Sequence, residues 1–303
     1  MASLAVGMQK PLLVVVTGAT ASGKTVMAIE LARQLGTEIV SADSRQIYQG
    51  IPITTAAPTP DELAQVRHHF VQTHALHAYY SAASYEAEAL HVIESLLDRY
   101  GCAVVCGGSM MYVDALTRGI DDMPTISSEV RRRVLDLERE QGLEAVLALL
   151  DVYDPEYAAV VDRQNRRRVM HAVELCMQSG KPCSQLRTGA AKERPFRVLK
   201  LAIDMPREQL FGRINARVDA MVRDGMEDEA RSVLHLRHLN ALNTVGFKEW
   251  FQYFDGGFAS RTECVERIKK NTRVYAKKQL TWLRRDPSVV WVRPTDLSML
   301  NNL

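Results

Sequence analysis

Residues 12–35 read LLVVVTGATASGKTVMAIELARQL, and the fold turns on how this stretch is read. Residues 12–16 form a compact apolar run rich in β-branched side chains. That is the pattern of a strand buried on both faces of a parallel sheet. Residues 18–25, GATASGKT, place a glycine, four residues and then Gly-Lys-Thr. Beyond them Met27, Ile29, Leu31 and Leu35 fall near helical spacing. Strand, glycine-rich turn and helix in that order make a phosphate-binding loop. Its glycines let backbone amides close around phosphate oxygens, and the helix N-terminus adds partial positive charge. On this reading Gly18, Ala19, Thr20, Ala21, Ser22, Gly23, Lys24 and Thr25 hold phosphate. Lys24 supplies a point charge, and Thr25 offers its hydroxyl to a magnesium ion. The loop implies phosphate without naming the reaction.

Working outward, residues 38–42 (EIVSA) read as a second strand. Residues 85–100 read as an amphipathic helix and residues 102–106 (CAVVC) as a third strand. Alternating strands and helices predict an α/β fold, a doubly wound parallel sheet with a P-loop. Ligands in such sheets bind outside the carboxyl ends of the strands. Asp43, Ser44 and Arg45 follow the second strand, and Gly107, Gly108 and Ser109 follow the third, so three motifs converge on one expected site. Two readings of Asp43 stand side by side: a general base, or a cap of a helix or turn. Gly107 and Gly108 serve a tight turn on the plainer reading, with Ser109 as a helix cap. No carboxylate ends the third strand to hold magnesium as in many nucleotide hydrolases, which argues against an ordinary ATPase. A diphosphate that departs whole would use the same cradle.

The pattern changes after Gly119. Residues 127–179 show helical periodicity and no strand, and Ser127 or Ser128 can cap the helix that carries Arg131 and Val134. Residues 121–124 and 180–195 read as linkers into and out of this region. Residues 196–204 return to strand character, residues 208–236 and 261–285 read as long helices, and residues 289–292 as a last strand. The expected organisation is a P-loop core from residues 1–120 and 195–303, with a helical insertion at 121–194.

The chain has 303 residues and a formal net charge of only +2, so a nucleic-acid partner has to be read from a local basic surface. Between Arg267 and Arg285 there is no acidic residue. Lys270, Arg273, Lys277 and Arg284 fall on one helical stripe, while Val274, Leu280 and Leu283 are free to face the core. Intrahelical pairing does not explain such a stripe; a solvated face and a contact with RNA phosphates are the two readings, and the absence of acidic partners favours the second. Arg166, Arg167 and Arg168 repeat the signal more weakly and read equally as surface charge. The five scattered cysteines fit reduced thiols, and no apolar segment is long enough to span a membrane. A cytoplasmic location and no membrane partner are therefore expected. His68 and His69 lack a metal-ligand pattern, and Trp250, Trp282 and Trp291 read as packing residues.

At this point the sequence resembles the tRNA dimethylallyltransferase family, of bacterial type since no zinc finger is present. The resemblance spans residues 12–285 and rests on GATASGKT, ADSRQIY (42–48), TTAAP (54–58), YSAASY (80–85), GGSMMY (107–112), RINARVDAMVRDGMEDEA (213–230), NALNTVGFKEW (240–250) and YAKKQLTWLRRD (275–286), in that order. It implies a prenyltransferase that moves a dimethylallyl group from dimethylallyl diphosphate, held by the P-loop with Mg2+, to the exocyclic amine of an adenosine beside a tRNA anticodon. The base is flipped into a channel. The resemblance gives Asp43 the role of base and Ser109 that of orienting the reacting groups, and it assigns Arg217 to the diphosphate. It places tRNA against Asp43, Ser44, Arg45, Gln46 and Ser109, against Arg131 and residues Arg166, Arg167, Arg168, Val169 and Met170 of the insertion, and against Asn243, Thr244, Val245, Gly246, Phe247 and Lys248. Arg273, Lys277 and Lys278 join them from the basic helix. A monomer binding the tRNA anticodon stem-loop is expected.

Departures from the family pattern are Ser109 for threonine, Ala57 for lysine, Phe247 for tyrosine and Ala19 for proline. Other readings stay open from the residues: a nucleoside or nucleotide kinase, an enzyme prenylating free adenine nucleotides, or a tRNA-binding protein without turnover.

Overall fold

The computed structural model describes residues 10–293. They divide into two compact units, one from residues up to 117 together with 194 onward, the other from 118–193.

The larger unit is built on a six-stranded parallel sheet in the order β3-β2-β4-β1-β5-β6. β1 (Leu12–Thr17) sits inside the sheet, where its apolar run is buried on both faces. α1 (Lys24–Gln34) leaves the glycine-rich turn and packs Met27, Ile29 and Leu31 under the sheet. After β2 (Ile39–Ser41) come the short helices α2 (Pro52–Thr55) and α3 (Pro60–Gln65), the latter opened by a Thr59–Glu62 capping box. β3 (His68–His69) then forms the sheet edge. This strand escaped the sequence reading because two histidines carry no apolar signal. Its place is fixed instead by pairing with β2 and by the His69 Nε2–Glu38 Oε2 contact of 2.6 Å.

α4 (Ala82–Tyr100) is capped by Ser81, whose hydroxyl accepts from Ser84 N–H. It buries Tyr85, Ala89 and Ile93 against the sheet face opposite α1. β4 (Cys102–Cys106) and α5 (Met110–Arg118) follow.

The second unit contains α6 (Ser128–Tyr153), α7 (Pro155–Val160), α8 (Arg166–Ser179) and α9 (Cys183–Leu186). Ser127 is the cap of α6, accepting from Val130 N–H, and the helix breaks at Gly142, which has φ +81°. Val134, Leu150, Val169, Val173 and Leu175 form a core of their own. Buried Asp154 ties α7 to α9 by accepting from Tyr157 N–H and from both the N–H and hydroxyl of Ser184. The entering and leaving chains are joined, Lys192 N–H donating to Arg118 C=O and Thr188 and Gly189 N–H to Asp121.

The chain then returns as β5 (Arg197–Ile203) beside β1. Residues 208–236, expected as one helix, are not continuous. α10 (Arg207–Arg223) stops at Asp224, and Gly225 with φ +101° starts α11 (Met226–Ser232), followed by a 3-10 turn at Leu234–Leu236. A side chain is rarely found at that φ, and the break turns α11 back onto α2. α12 (Phe247–Phe254), α13 (Arg261–Leu283) and β6 (Val289–Val292) complete the unit. In α13 Ile268, Ala276, Gln279 and Leu283 face inward. Val274, expected in the core, is 42% exposed, because the buried stripe runs through Ile268, Ala276 and Gln279 and leaves position 274 on the opposite face. No helix among the described residues is long and apolar enough to cross a membrane.

Candidate active site

Parallel strands end on one edge, so the loops after β1, β2 and β4, which are neighbours in the sheet, meet there. Gly107 N–H donates to Val16 C=O, and Ser109 N–H donates to Ala42 C=O. These bonds lock the third loop onto the other two. Gly107 and Gly108 are there for closeness: a Cβ on Gly107 would lie 2.2 Å from Ala42 O, and one on Gly108 would lie 2.4 Å from Gln279 Nε2.

The loop after β1 encloses one wall of a cavity of about 680 Å³. Thr20, Ala21, Gly23, Lys24 and Thr25 line it, whereas Gly18, Ala19 and Ser22 shape the loop from behind. Gly18 and Gly23 hold φ of +145° and +102°, and Ala21, at φ +64°, shares the left-handed region without being glycine. Three long-reaching side chains hold this conformation. Lys24 Nζ donates to Ala19 C=O at 2.8 Å, Arg213 Nε to Ala21 C=O at 2.9 Å, and Gln279 Oε1 accepts from Thr20 N–H at 2.8 Å. Burial lowers the Lys24 ammonium to about 8, with Arg217 adding to the effect and Cys106 and Asp43 opposing it.

Asp43 caps its own turn and also stands on the cavity wall. Its Oδ1 accepts from Arg45 N–H at 2.9 Å and from Gln46 N–H at 3.3 Å, an Asx turn. Its carboxylate also lines the cavity, together with Lys24 and Arg217. Ser109 Oγ accepts from Ser44 N–H at 2.8 Å and donates to Ser44 Oγ at 3.1 Å, so this hydroxyl holds the Asp43 loop. Gln46 donates to Ala56 C=O at 2.8 Å, and Glu229 of α11 accepts from Ile53 and Thr54 N–H at 2.8 and 2.7 Å. These bonds fix the segment that carries Ala57 on the opposite wall. Arg217 donates to Ala56 C=O at 3.3 Å and is pushed below its usual value mainly by burial.

A second cavity of about 410 Å³ shares Asp43, Arg217 and Tyr275 with the first and continues to Asn243, Thr244 and Lys248. A third, of about 330 Å³, shares Ser109 and Tyr275 with the second and is walled by Tyr48, Tyr80 and Tyr112. The three adjoin through these shared wall residues, and the passage they outline has cations around its first cavity and aromatic rings around its third. Burial raises the Tyr275 phenol to about 12, and Asp43 adds to that shift. Cys106, lining the first cavity, is likewise pushed up to about 12 by burial.

Several expected contact residues sit elsewhere. Phe247, the first residue of α12, is fully buried, and Gly246, at φ +101°, is packed against Met226 and Thr54. Val169 and Met170 belong to the core of the helical unit, since α8 turns its apolar face inward at these positions. These side chains support the surface and do not form it. In the same unit Arg131 lies 3.7 Å from Glu174, Arg166 pairs with Glu138, and Arg167 and Arg168 are exposed. On α13 Arg273 donates to Asn215 Oδ1 at 2.6 Å, Lys277 lies over the Phe211 ring, and Lys278 is exposed. Arg45, expected at the RNA, is held by the carbonyls of Asn240, Ala241 and Asn243 and fixes that loop beside the passage.

Sequence reasoning missed Arg213, Tyr275 and Gln279. Each lies inside a quoted motif, and helical spacing held the signal: Arg213 is one turn before Arg217, and Tyr275 and Gln279 are one turn apart.

Thr25 and Asp43 place hydroxyl and carboxylate oxygens on the first cavity beside the phosphate loop. Among the described residues no three His, Cys, Asp or Glu side chains form a metal cage. This donor set fits a hard divalent cation that keeps ligands from water and phosphate.

Fold and site together define an α/β P-loop protein whose cation-lined cavity adjoins an aromatic-walled one. The comparisons with known proteins narrow this class. Residues 46–286 match the model of the IPP transferase family, and the chain belongs to that family. It is 50% identical over 282 residues to tRNA dimethylallyltransferase 2 of Porphyromonas gingivalis, covering 93% of this chain and 94% of that protein. It is 49% identical over 284 residues to tRNA dimethylallyltransferase 1 of Bacteroides thetaiotaomicron, covering 94% and 92%. Among solved structures, the tRNA isopentenylpyrophosphate transferase of Bacillus halodurans matches with a TM-score of 0.69 at 29% identity, over 97% of this chain and 95% of that one. A eukaryotic dimethylallyltransferase acting on tRNA matches with a TM-score of 0.80 at 26% identity, over 96% and 76%.

Proposed function

We propose that this protein transfers a dimethylallyl group from dimethylallyl diphosphate to the exocyclic amine of an adenosine beside the anticodon of tRNA, releasing diphosphate. The observation that carries this reading is the run of adjoining cavities from the P-loop cations to the tyrosine-walled pocket, with Asp43 on the wall of the first two. Family membership narrows the reaction to prenyl transfer.

The diphosphate lies against Lys24, Arg213, Arg217 and the free amides of the loop. These donors are fixed before the reaction and stabilise the charge that develops as the allylic C–O bond breaks. A divalent cation, magnesium being our assignment, would be held by the Thr25 hydroxyl and would supply further charge to the phosphate oxygens. The adenine amine is a weak nucleophile because its lone pair is delocalised. As its nitrogen bonds to the allylic carbon, its proton passes to the Asp43 carboxylate, a contribution of about 10²–10⁴-fold. Ser109 acts by fixing the Asp43 loop. Tyr48, Tyr80, Tyr112 and Tyr275 give the flipped base apolar walls, and an anticodon loop yields that base at low cost.

Incubation with dimethylallyl diphosphate, magnesium and undermodified tRNA, followed by mass analysis of the nucleosides, tests the reading. Prenylated adenosine from tRNA and not from AMP is the expected result. Product from AMP would assign the free-nucleotide reaction, and phosphoryl transfer from ATP in place of either would assign a kinase.

A further inference from the structure

Gln279 is among the most buried polar residues of the larger unit, 3% exposed, and it lies on α13 directly after Lys277 and Lys278. Its amide has two partners from different loops. Oε1 accepts from Thr20 N–H at 2.8 Å in the phosphate loop, and Nε2 donates to Gly108 C=O at 2.8 Å in the loop after β4. The orientation of the amide is not a matter of choice, because a backbone N–H only donates and a C=O only accepts. Glycine at 108 serves the same contact, since a Cβ there would stand 2.4 Å from Nε2.

We propose that Gln279 is a positioning residue for the transfer reaction, acting through Thr20 and Gly108. It presets the phosphate loop for the diphosphate and holds the Ser109 loop in register with it. This rests on the prenyl-transfer reading for what is positioned, though the diphosphate part stands without it. Two observations support the role. Ala21 sits at φ +64°, a conformation an alanine leaves unless its neighbours are fixed, and the bonds from Gln279 to Thr20 N–H and from Arg213 to Ala21 C=O fix both sides of it. The Thr20 N–H is also engaged by Gln279, so it is not one of the amides that bind phosphate. Donor binding therefore depends on a helix that carries the exposed Lys277 and Lys278 directly before Gln279.

The test measures binding of inorganic diphosphate by calorimetry, and separately the kcat and KM for donor and tRNA. Gln279→Met loses both hydrogen bonds at nearly equal volume. Gln279→Asn keeps both groups but is too short to hold both partners. Roughly tenfold weaker diphosphate binding is expected for Gln279→Met, the scale of one or two lost buried hydrogen bonds, with Gln279→Asn in between. A fall in donor kcat/KM of the same order is expected. Wild-type diphosphate affinity in either folded variant, with only a lower melting temperature, overturns the proposal. Hydrogen exchange on the wild-type protein needs no substitution: slow exchange at Thr20 N–H, matching β1, is expected, and rapid exchange overturns the role. A wild-type protein that binds diphosphate but prenylates no tRNA refutes the proposed function instead, and leaves the binding comparison intact.

Discussion

At the scale of single residues, the site is made of groups that each have one job in the fold and another in the cavity. Asp43 closes its own turn with Oδ1 and presents its carboxylate to the passage. Asn at this position still accepts from Arg45 and Gln46 N–H but is not a base. Asp43→Asn is therefore expected to keep tRNA affinity and to lose turnover by about 10²–10⁴-fold, measured by single-turnover kinetics. Unchanged turnover would remove Asp43 from the chemistry. Lys24, depressed to about 8 by burial, gives a second prediction. The ammonium is present below that value and lost above it, so diphosphate affinity in the otherwise empty site is expected to fall as pH rises from 7 to 9.5. Lys24→Met is expected to bind diphosphate weakly with no such slope, and calorimetry across that range checks both.

At the scale of elements, the loops do their work because the strands before them are neighbours. Gly107 lies where the ends of β2 and β4 nearly touch. Gly107→Ala is expected to cost about 1–3 kcal/mol by overpacking and to abolish donor binding through the displaced Asp43 loop. Gly212, inside α10, is its counterpart. Nothing lies within 4 Å of a Cβ there, and Gly212→Ala is expected to stabilise the protein by about 0.5–1 kcal/mol. Urea unfolding of the two variants measures opposite signs if the backbone contacts are as described. On α13 the exposed Lys278 carries no part of the cavity. Lys278→Glu is expected to weaken tRNA binding, to make its salt dependence shallower, and to leave diphosphate affinity unchanged, as filter binding at several salt concentrations reports.

At the scale of the whole molecule, the β5–β6 end of the sheet is tied by a partly buried ion pair. Lys200 of β5 donates to Asp286 Oδ2 at 2.7 Å at the start of the turn into β6. Burial alone would raise the Asp286 carboxyl, but bonds from Lys200 and Ser288 hold it down to about 2. Its folded value thus lies below the unfolded one. The stabilisation is present above the unfolded value of about 4 and disappears as pH falls through 4 toward 2. Asp286→Asn is expected to be less stable at pH 7 and to show a flatter stability profile between pH 5 and pH 2, measured by thermal melts. An equal acid slope in both proteins would locate the sensitivity elsewhere.

Local sequence determined a good part of this protein. Residues 12–35 specify strand, loop and helix because a buried parallel strand must be apolar throughout and a phosphate cradle must have its glycines. The order of short motifs along the chain identified the family and with it the chemistry. The edge strand at His68–His69, the break at Gly225 and the outward turn of Val274 were not legible, since each depends on what the neighbouring element already occupies. Val169, Met170 and Phe247 read as contact residues and proved to be core, because a motif marks where a segment matters without saying which side chain faces out. Only the tertiary structure decided that Gln279, separated by 259 residues from Thr20, holds the phosphate loop. A hydrogen bond between distant segments leaves no periodicity in either one; it exists only once the sheet has brought β1 and β4 side by side and α13 has packed across their ends.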